Sequence, residues 1–274
     1  MKIYTAHDLL KPVIDQIEAG YYQSGFACSP VEFTEVSQNL VRAIARIAVS
    51  SDMTSLQCDD ASIKSAFINT VIESQLPKKA SSIFYITIEN PEDVIYRIFS
   101  SITNIREDDL RMGNISEKGW VNLTLAVFSL TEVQFCIINP LGSNFDWLLS
   151  TIKTIGRHKK GVVILENTNK IHDEDGISFK SYKSLSECYL PLIMTGQNPL
   201  MIENDVKHCT ENNHTFSQLA KALLKIGRVE GHKEKVKLGF FHKELKHSIV
   251  LELNYMDDAK KYQDNYDMAK VSQI

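Results

Sequence analysis

Ile83-Phe84-Tyr85-Ile86-Thr87-Ile88-Glu89-Asn90-Pro91-Glu92-Asp93-Val94 carries the reading that decides the fold. Its first six residues are β-branched or aromatic and predict a strand. Glu89 ends that strand, and Pro91 suits the first turn of a helix running to about Ser101. The alternation continues downstream. Ser116-Glu117 opens a helix containing Trp120, Leu123, Leu125 and Val127, and Val133 to Ile138 is the next strand. A helix from about Phe145 to Ile155 leads to the strand Gly161 to Leu165, then to a polar loop and helix, then to the strand Leu190 to Thr195. These strands are continuous apolar runs. That predicts an α/β fold whose mostly parallel sheet carries helices on both faces, with its site at the carboxyl ends of the strands.

Upstream, Leu9, Leu10, Val13, Ile14 and Ile17 fall on one face of a helix over about Asp8 to Ala19, with Pro12 allowed in its first turn. Tyr21 to Val31 reads as turn. A helical pattern starts near Phe33 and runs to Val49, part of it open to a strand reading, and Ser50 to Asp60 reads as a polar connection. Ile63, Phe67, Val71 and Ile72 then predict a helix over Ala61 to Glu73. At the other end, Val236 to Phe241 and Ser248 to Leu253 predict a hairpin, followed by a polar tail.

The 274 residues are 43% hydrophobic and 23% charged, which excludes disorder as the main state and suits one domain. With 30 Lys+Arg against 34 Asp+Glu, no global positive field drives sequence-blind binding to nucleic acid. A DNA contact would be local, and Lys153, Arg157, His158, Lys159 and Lys160 are the candidate stretch, or simply a solvated face. The apolar runs fall far short of the roughly 18 residues of a membrane span, and the start lacks a signal-peptide apolar region, so a cytoplasmic location is expected. The 5 scattered cysteines are expected to be reduced. His208, Cys209 and His214 gather soft ligands without a fourth, so no metal site is assigned. Sequons at Asn114, Asn122 and Asn213 carry no meaning in a cytosolic chain.

A nucleotide-hydrolysing α/β fold follows its first strand with a Gly-rich loop ending in Gly-Lys-Ser/Thr, whose amides cradle phosphate while Lys offsets charge and the hydroxyl holds Mg²⁺. At the expected place stands Cys58-Asp59-Asp60-Ala61-Ser62-Ile63-Lys64-Ser65, which keeps Lys64 and Ser65 but has no glycine. A β-branched Ile63 opposes the tight wrap, and Asp59 and Asp60 place negative charge beside the polyphosphate. The magnesium-side acid would be Glu166, at the end of Val162-Val163-Ile164-Leu165. Glu89 could polarise an attacking water, and Gln197 could sense a γ-phosphate. Each of these residues is also the ordinary first polar residue after a buried strand.

The ordered set resembles the RecA-like C-terminal domain of DnaB-type replicative helicases. Thr87-Ile88-Glu89-Asn90-Pro91, Arg97, Leu110-Arg111-Met112-Gly113 and Ile115-Ser116-Glu117-Lys118-Gly119-Trp120 are similar to that family's Ser-Leu-Glu-Met segment, its following helix with an Arg, and its Arg-x-Gly-x-Leu-Ser turn. Ile164 to Lys170, Leu190 to Pro199 and Val236 to Leu253 resemble its Ile-Asp-Tyr segment, its Ser-Gln-Leu-Asn-Arg strand end and its arginine-finger hairpin. Residues 6–255 are covered. The resemblance implies a linker helix within 1–25 that docks on a neighbouring subunit, a RecA-like domain over 26–255, and a polar tail over 256–274. The family's N-terminal domain, used for ring assembly and primase contact, has no counterpart in these residues. The departures fall at the chemistry: the loop glycine is lost, the acid is Glu rather than Asp, Gln197 is followed by Asn198-Pro199, and Phe240 and His242 stand where the family places Lys and Arg, with Lys243 out of phase. A guanidinium finger contributes about 10³-fold or more to phosphoryl transfer, which His or Lys does not replace.

Two functions are therefore expected. One is a non-catalytic scaffold or regulator in DNA replication that needs no cofactor and binds helicase-type ring subunits or other replication proteins, with self-association through the Asp8–Ala19 helix. The alternative is a divergent ATP-dependent DNA helicase using ATP and Mg²⁺, with Lys64 and Ser65 binding nucleotide and Glu89, Glu166 and Gln197 in catalysis.

Overall fold

A computed structural model describes residues 2–24, 39–50, 53–58, 60–77, 82–140, 150–154, 161–166, 192–195, 221–242, 247–256 and 261–264. Parallel strands β2 (Met53–Gln57), β3 (Ser82–Ile86), β4 (Gln134–Asn139), β5 (Gly161–Leu165), β6 (Leu192–Thr195) and β7 (Ala222–Val229) form the middle of the sheet. Their spatial order is β4-β3-β5-β6-β2-β7, so the connections between consecutive parallel strands are crossovers. Antiparallel strands extend both edges. β1 (Lys2–Thr5) pairs with β4, and β8 (His232–His242), β9 (His247–Met256) and β10 (Lys261–Asp264) continue from β7 as a meander.

Along β3, Ile83 and Tyr85 join Phe135 and Ile137 of β4 and Val162 and Ile164 of β5 in one apolar cluster. Side chains two apart on a strand share a face, so this cluster is one side of the sheet. Residues of helices α1 (Ala6–Ser24), α2 (Asn39–Ser50), α3 (Ala61–Gln75), α4 (Pro91–Thr103), α5 (Glu107–Met112) and α6 (Glu117–Glu132) complete it. The opposite side chains Phe84, Ile86, Ile138, Val163 and Leu165 are also buried, as the unbroken apolar runs require.

The central strand β2 lies where the sequence reads as a polar connection, Ser50 to Asp60. Met53, Thr54, Ser55 and Leu56 are buried there between β6 and β7, and the Thr54 hydroxyl donates to the Ala48 carbonyl at 2.9 Å. Tertiary pairing outweighs the weak β-propensity of this segment. β1, β7, β10 and α5 are likewise additions to the sequence reading, and β10 falls inside the expected polar tail. α2 is helical throughout its span, which settles the open strand reading of Leu40 to Val49. Residues 25–38, 141–149 and 167–191 lie outside the described residues, as do the loop and helix expected before β6.

Helix α1 is longer at both ends than expected, and Pro12 sits inside it rather than in its first turn. A capping box sets its start: the Thr5 amide and hydroxyl donate to Asp8 Oδ2 at 2.9 and 2.6 Å, and the Asp8 amide donates to Thr5 Oγ1 at 3.3 Å. Its apolar face, Leu9, Leu10, Val13 and Ile17, is buried against this chain's own core, not offered to a neighbour as the resemblance implied. Gly113 makes that close approach possible. With φ at +68° it closes α5, and a Cβ there would lie 2.0 Å from the Tyr21 amide nitrogen and 2.4 Å from the Gly20 carbonyl carbon. Tyr21 then meets Trp120 edge to face at 5.5 Å.

Ser116 caps α6 by accepting from the Gly119 amide at 3.0 Å. Ser116→Ala is expected to cost about 1 kcal/mol, read as a lower denaturant midpoint with unchanged slope. An unchanged midpoint would show that the cap contributes nothing to stability.

Candidate functional site

The parallel strands place the ends of β2, β3 and β5 on one edge of the sheet, and the expected residues gather there. Glu166 follows β5 and is fully buried. Its amide donates to the Ile86 carbonyl at 2.9 Å, which fixes the backbone beside the end of β3. Lys64, near the start of α3, reaches down so that its Nζ lies 3.3 Å from Glu166 Oε1, with the lysine side chain 11% exposed. Ser65 follows it, half-buried.

Two residues that sequence reasoning left unassigned complete the arrangement. In register, Tyr85 is paired with Ile164, so its long side chain slants along the sheet to Glu166 two residues on. Its hydroxyl donates to Glu166 Oε2 in a short hydrogen bond, and the Thr87 hydroxyl donates to the same oxygen at 3.3 Å. On the far side of Tyr85, Arg97 of α4 approaches the hydroxyl with Nη2 at 3.4 Å and ion-pairs through Nη1 with Glu89. The result is a continuous line, Lys64–Glu166–Tyr85–Arg97–Glu89. Its two cations match its two carboxylates.

Burial and the Glu166 charge together raise the Tyr85 hydroxyl well above its ordinary value, which keeps it a protonated donor. For Arg97, burial disfavours the charge, but Tyr85, Glu89 and Glu166 outweigh it and the guanidinium stays ionised. Glu166 Oε1 receives no well-directed hydrogen bond, so its compensation is the ammonium charge of Lys64. A buried carboxylate held this way is costly to disturb.

Only Cys58 to Asp60 separate β2 from α3. Ala61, Ser62 and Ile63, which would belong to a phosphate-wrapping loop, are instead the first turn of the helix, and the Ile63 side chain is fully buried in the core. Asp60 is the N-cap: Oδ1 accepts from the Ser62 and Ile63 amides at 2.9 and 3.1 Å, and Oδ2 accepts from Arg228 Nε at 2.9 Å. Burial alone would push this carboxyl up. The hydrogen bonds from Ile63, Arg228 and Ser62 and the arginine charge outweigh burial and hold it below the usual carboxylate range.

Gln197, the basic residues from Arg157 to Lys160, and the His208, Cys209, His214 group lie outside the described residues. Among the described residues no cluster of three or more His, Cys, Asp or Glu side chains suits a metal ion, and no helix is long and apolar enough to cross a membrane. In the hairpin, Phe240 is buried and pairs with Ile249, which makes it a core residue rather than an outward finger.

No protein-family model matches the chain, and no curated protein sequence matches it. Solved structures do. An ATPase domain of the DnaB-like helicase type superposes with a TM-score of 0.65, covering 92% of this chain and 98% of that one at 12% identity. A DnaB-like replicative helicase, solved for its interactions with primase, gives a TM-score of 0.59 over 95% of this chain and 75% of that one, also at 12% identity. A KaiC-like protein from the archaeon Pyrococcus horikoshii OT3 gives 0.50 over 77% and 88%, at 12% identity. The fold is thus the RecA-like fold of DnaB-type helicase ATPase domains.

Proposed function

We propose that this chain is a non-catalytic RecA-fold protein that acts as a scaffold or regulator in DNA replication or a related DNA transaction, with helicase-type ring subunits or other replication proteins as its partners. The observation that carries this reading is the engagement of Lys64 by Glu166 at 3.3 Å beside a helix that begins without a phosphate loop. A magnesium nucleotide does not fit these residues as they stand. Glu166 has Lys64 on one oxygen and Tyr85 and Thr87 on the other, which leaves its carboxylate committed to three internal partners. The backbone that would wrap the phosphates is helical from Ala61 onward. The replication setting comes from the structural neighbours, a helicase ATPase domain and a helicase studied with primase.

A second reading, an ATP-dependent DNA helicase, is favoured by one observation: Lys64, Glu166 and Glu89 do converge at the strand ends, in the order such an enzyme needs. Titration with a fluorescent ATP analogue and Mg²⁺, beside Lys64→Ala and a phosphate-release assay, separates the two. The scaffold reading expects no saturable binding at millimolar nucleotide and no release. Binding that disappears in Lys64→Ala, with turnover, would overturn it.

A further inference from the structure

The first turn of α3 faces a donor set of a particular kind. The Ser62 and Ile63 amides point out of the helix N-terminus, where free N–H groups and the helix dipole favour an anion. Arg228, near the end of β7, adds a guanidinium from the other side. That guanidinium is itself well placed, with Nη1 donating to the Lys233 carbonyl and its carbon 5.4 Å from the centre of the Tyr255 ring. The Tyr255 hydroxyl in turn lies 3.0 Å from Ser62 Oγ. Two backbone amides and an arginine are the groups that hold a phosphate oxygen in proteins. Here they hold the two oxygens of Asp60.

We infer that Asp60 is an internal stand-in for phosphate, its carboxylate occupying the α3 N-terminus and Arg228 so that an external phosphate group is kept out. This rests on the non-catalytic reading above and names the residue responsible for it. The missing glycine is then a secondary feature. A loop without glycine wraps phosphate poorly, but a carboxylate fixed on the same amides competes with phosphate directly and does so within the chain, without having to be captured from solution. The same contact has a structural consequence. By binding Arg228, Asp60 ties the β7–β9 meander to α3 in the absence of any ligand.

The test uses the full chain and inorganic pyrophosphate, with binding followed by calorimetry at low ionic strength. Asp60→Gly removes the carboxylate while keeping an acceptable cap residue. It is expected to bind pyrophosphate at least about tenfold more tightly than the unmodified chain, because charge-assisted donors are released. Adding Arg228→Ala should cancel that gain. Asp60→Asn keeps an acceptor on the Ser62 and Ile63 amides, so it should behave like the unmodified chain. Circular dichroism confirms folding, and if Asp60→Gly does not fold, Asp60→Ser replaces it, since a hydroxyl can turn to donate to an anion. A folded Asp60→Gly or Asp60→Ser that gains nothing, or an Asp60→Asn that gains as much, overturns the stand-in role. ATP binding by the unmodified chain overturns the non-catalytic reading instead, so the two failures are told apart.

Discussion

Ile63→Gly is expected to destabilise the protein by about 4 kcal/mol or more and to confer no nucleotide binding. On sequence grounds this substitution restores the glycine of a phosphate loop. In the structure Ile63 is the third residue of α3, fully buried, and part of the same apolar cluster as Phe67, Val71 and Leu224. Removing its side chain leaves a cavity whose cost for a buried Ile is about 2–5 kcal/mol, and glycine in a helix adds about 1 kcal/mol over alanine. The loop does not return, because Asp60 still caps the helix. Urea unfolding with and without MgATP reads both halves of the expectation. A variant as stable as the parent would mean that the first turn of α3 is not helical in solution.

Lys64→Ala is expected to cost about 3 kcal/mol, lowering Tm by at least about 6 °C. In a helicase-type ATPase the phosphate-binding lysine serves the ligand, and its loss should affect turnover more than folding. Here it is 11% exposed and neutralises a carboxylate with no exposure. Its removal leaves Glu166 with the Tyr85 and Thr87 hydroxyls alone. The double variant Lys64→Met with Glu166→Gln removes both charges and keeps the volumes. It should be more stable than Lys64→Ala, since a buried pair contributes little over an apolar replacement while a single buried charge is costly. Equal Tm values for Lys64→Ala and the parent would show that the pair is open in solution, and would return Lys64 to the service of a ligand.

The parts of the fold legible in the sequence share one property: their signal is local. β3, β5, α3, α4 and α6 are recognisable because apolar runs, Pro91 at a helix start and Ser116 at a cap act within a few residues. β2 escapes such reading because Thr54 and Ser55 are hydroxyl side chains in a position that only flanking strands make interior. The short strands β1 and β10 exist through a neighbour each and have no pattern of their own.

The site divides in the same way. Lys64, Ser65, Glu89 and Glu166 are legible because carboxylates and a Lys-Ser pair stand where strands end and a helix begins, and chain order alone brings them to one edge of a parallel sheet. Tyr85 and Arg228 are not. Tyr85 reads as an ordinary strand aromatic until the β3–β5 register places it diagonally from Glu166, and Arg228 meets Asp60 across 168 positions of chain. Asp60 is recognisable as unwelcome charge near a phosphate. That its carboxylate sits on the helix amides depends on α3 starting at Ala61, which a buried Ile63 enforces. Residue order and local pattern are enough for the α/β class and for which residues line the strand ends. Which of them pair, and hence whether the lysine and the helix end are open to a ligand, is decided by strand register and burial, because the energy of a charge depends on the partners and solvent that folding assigns to it.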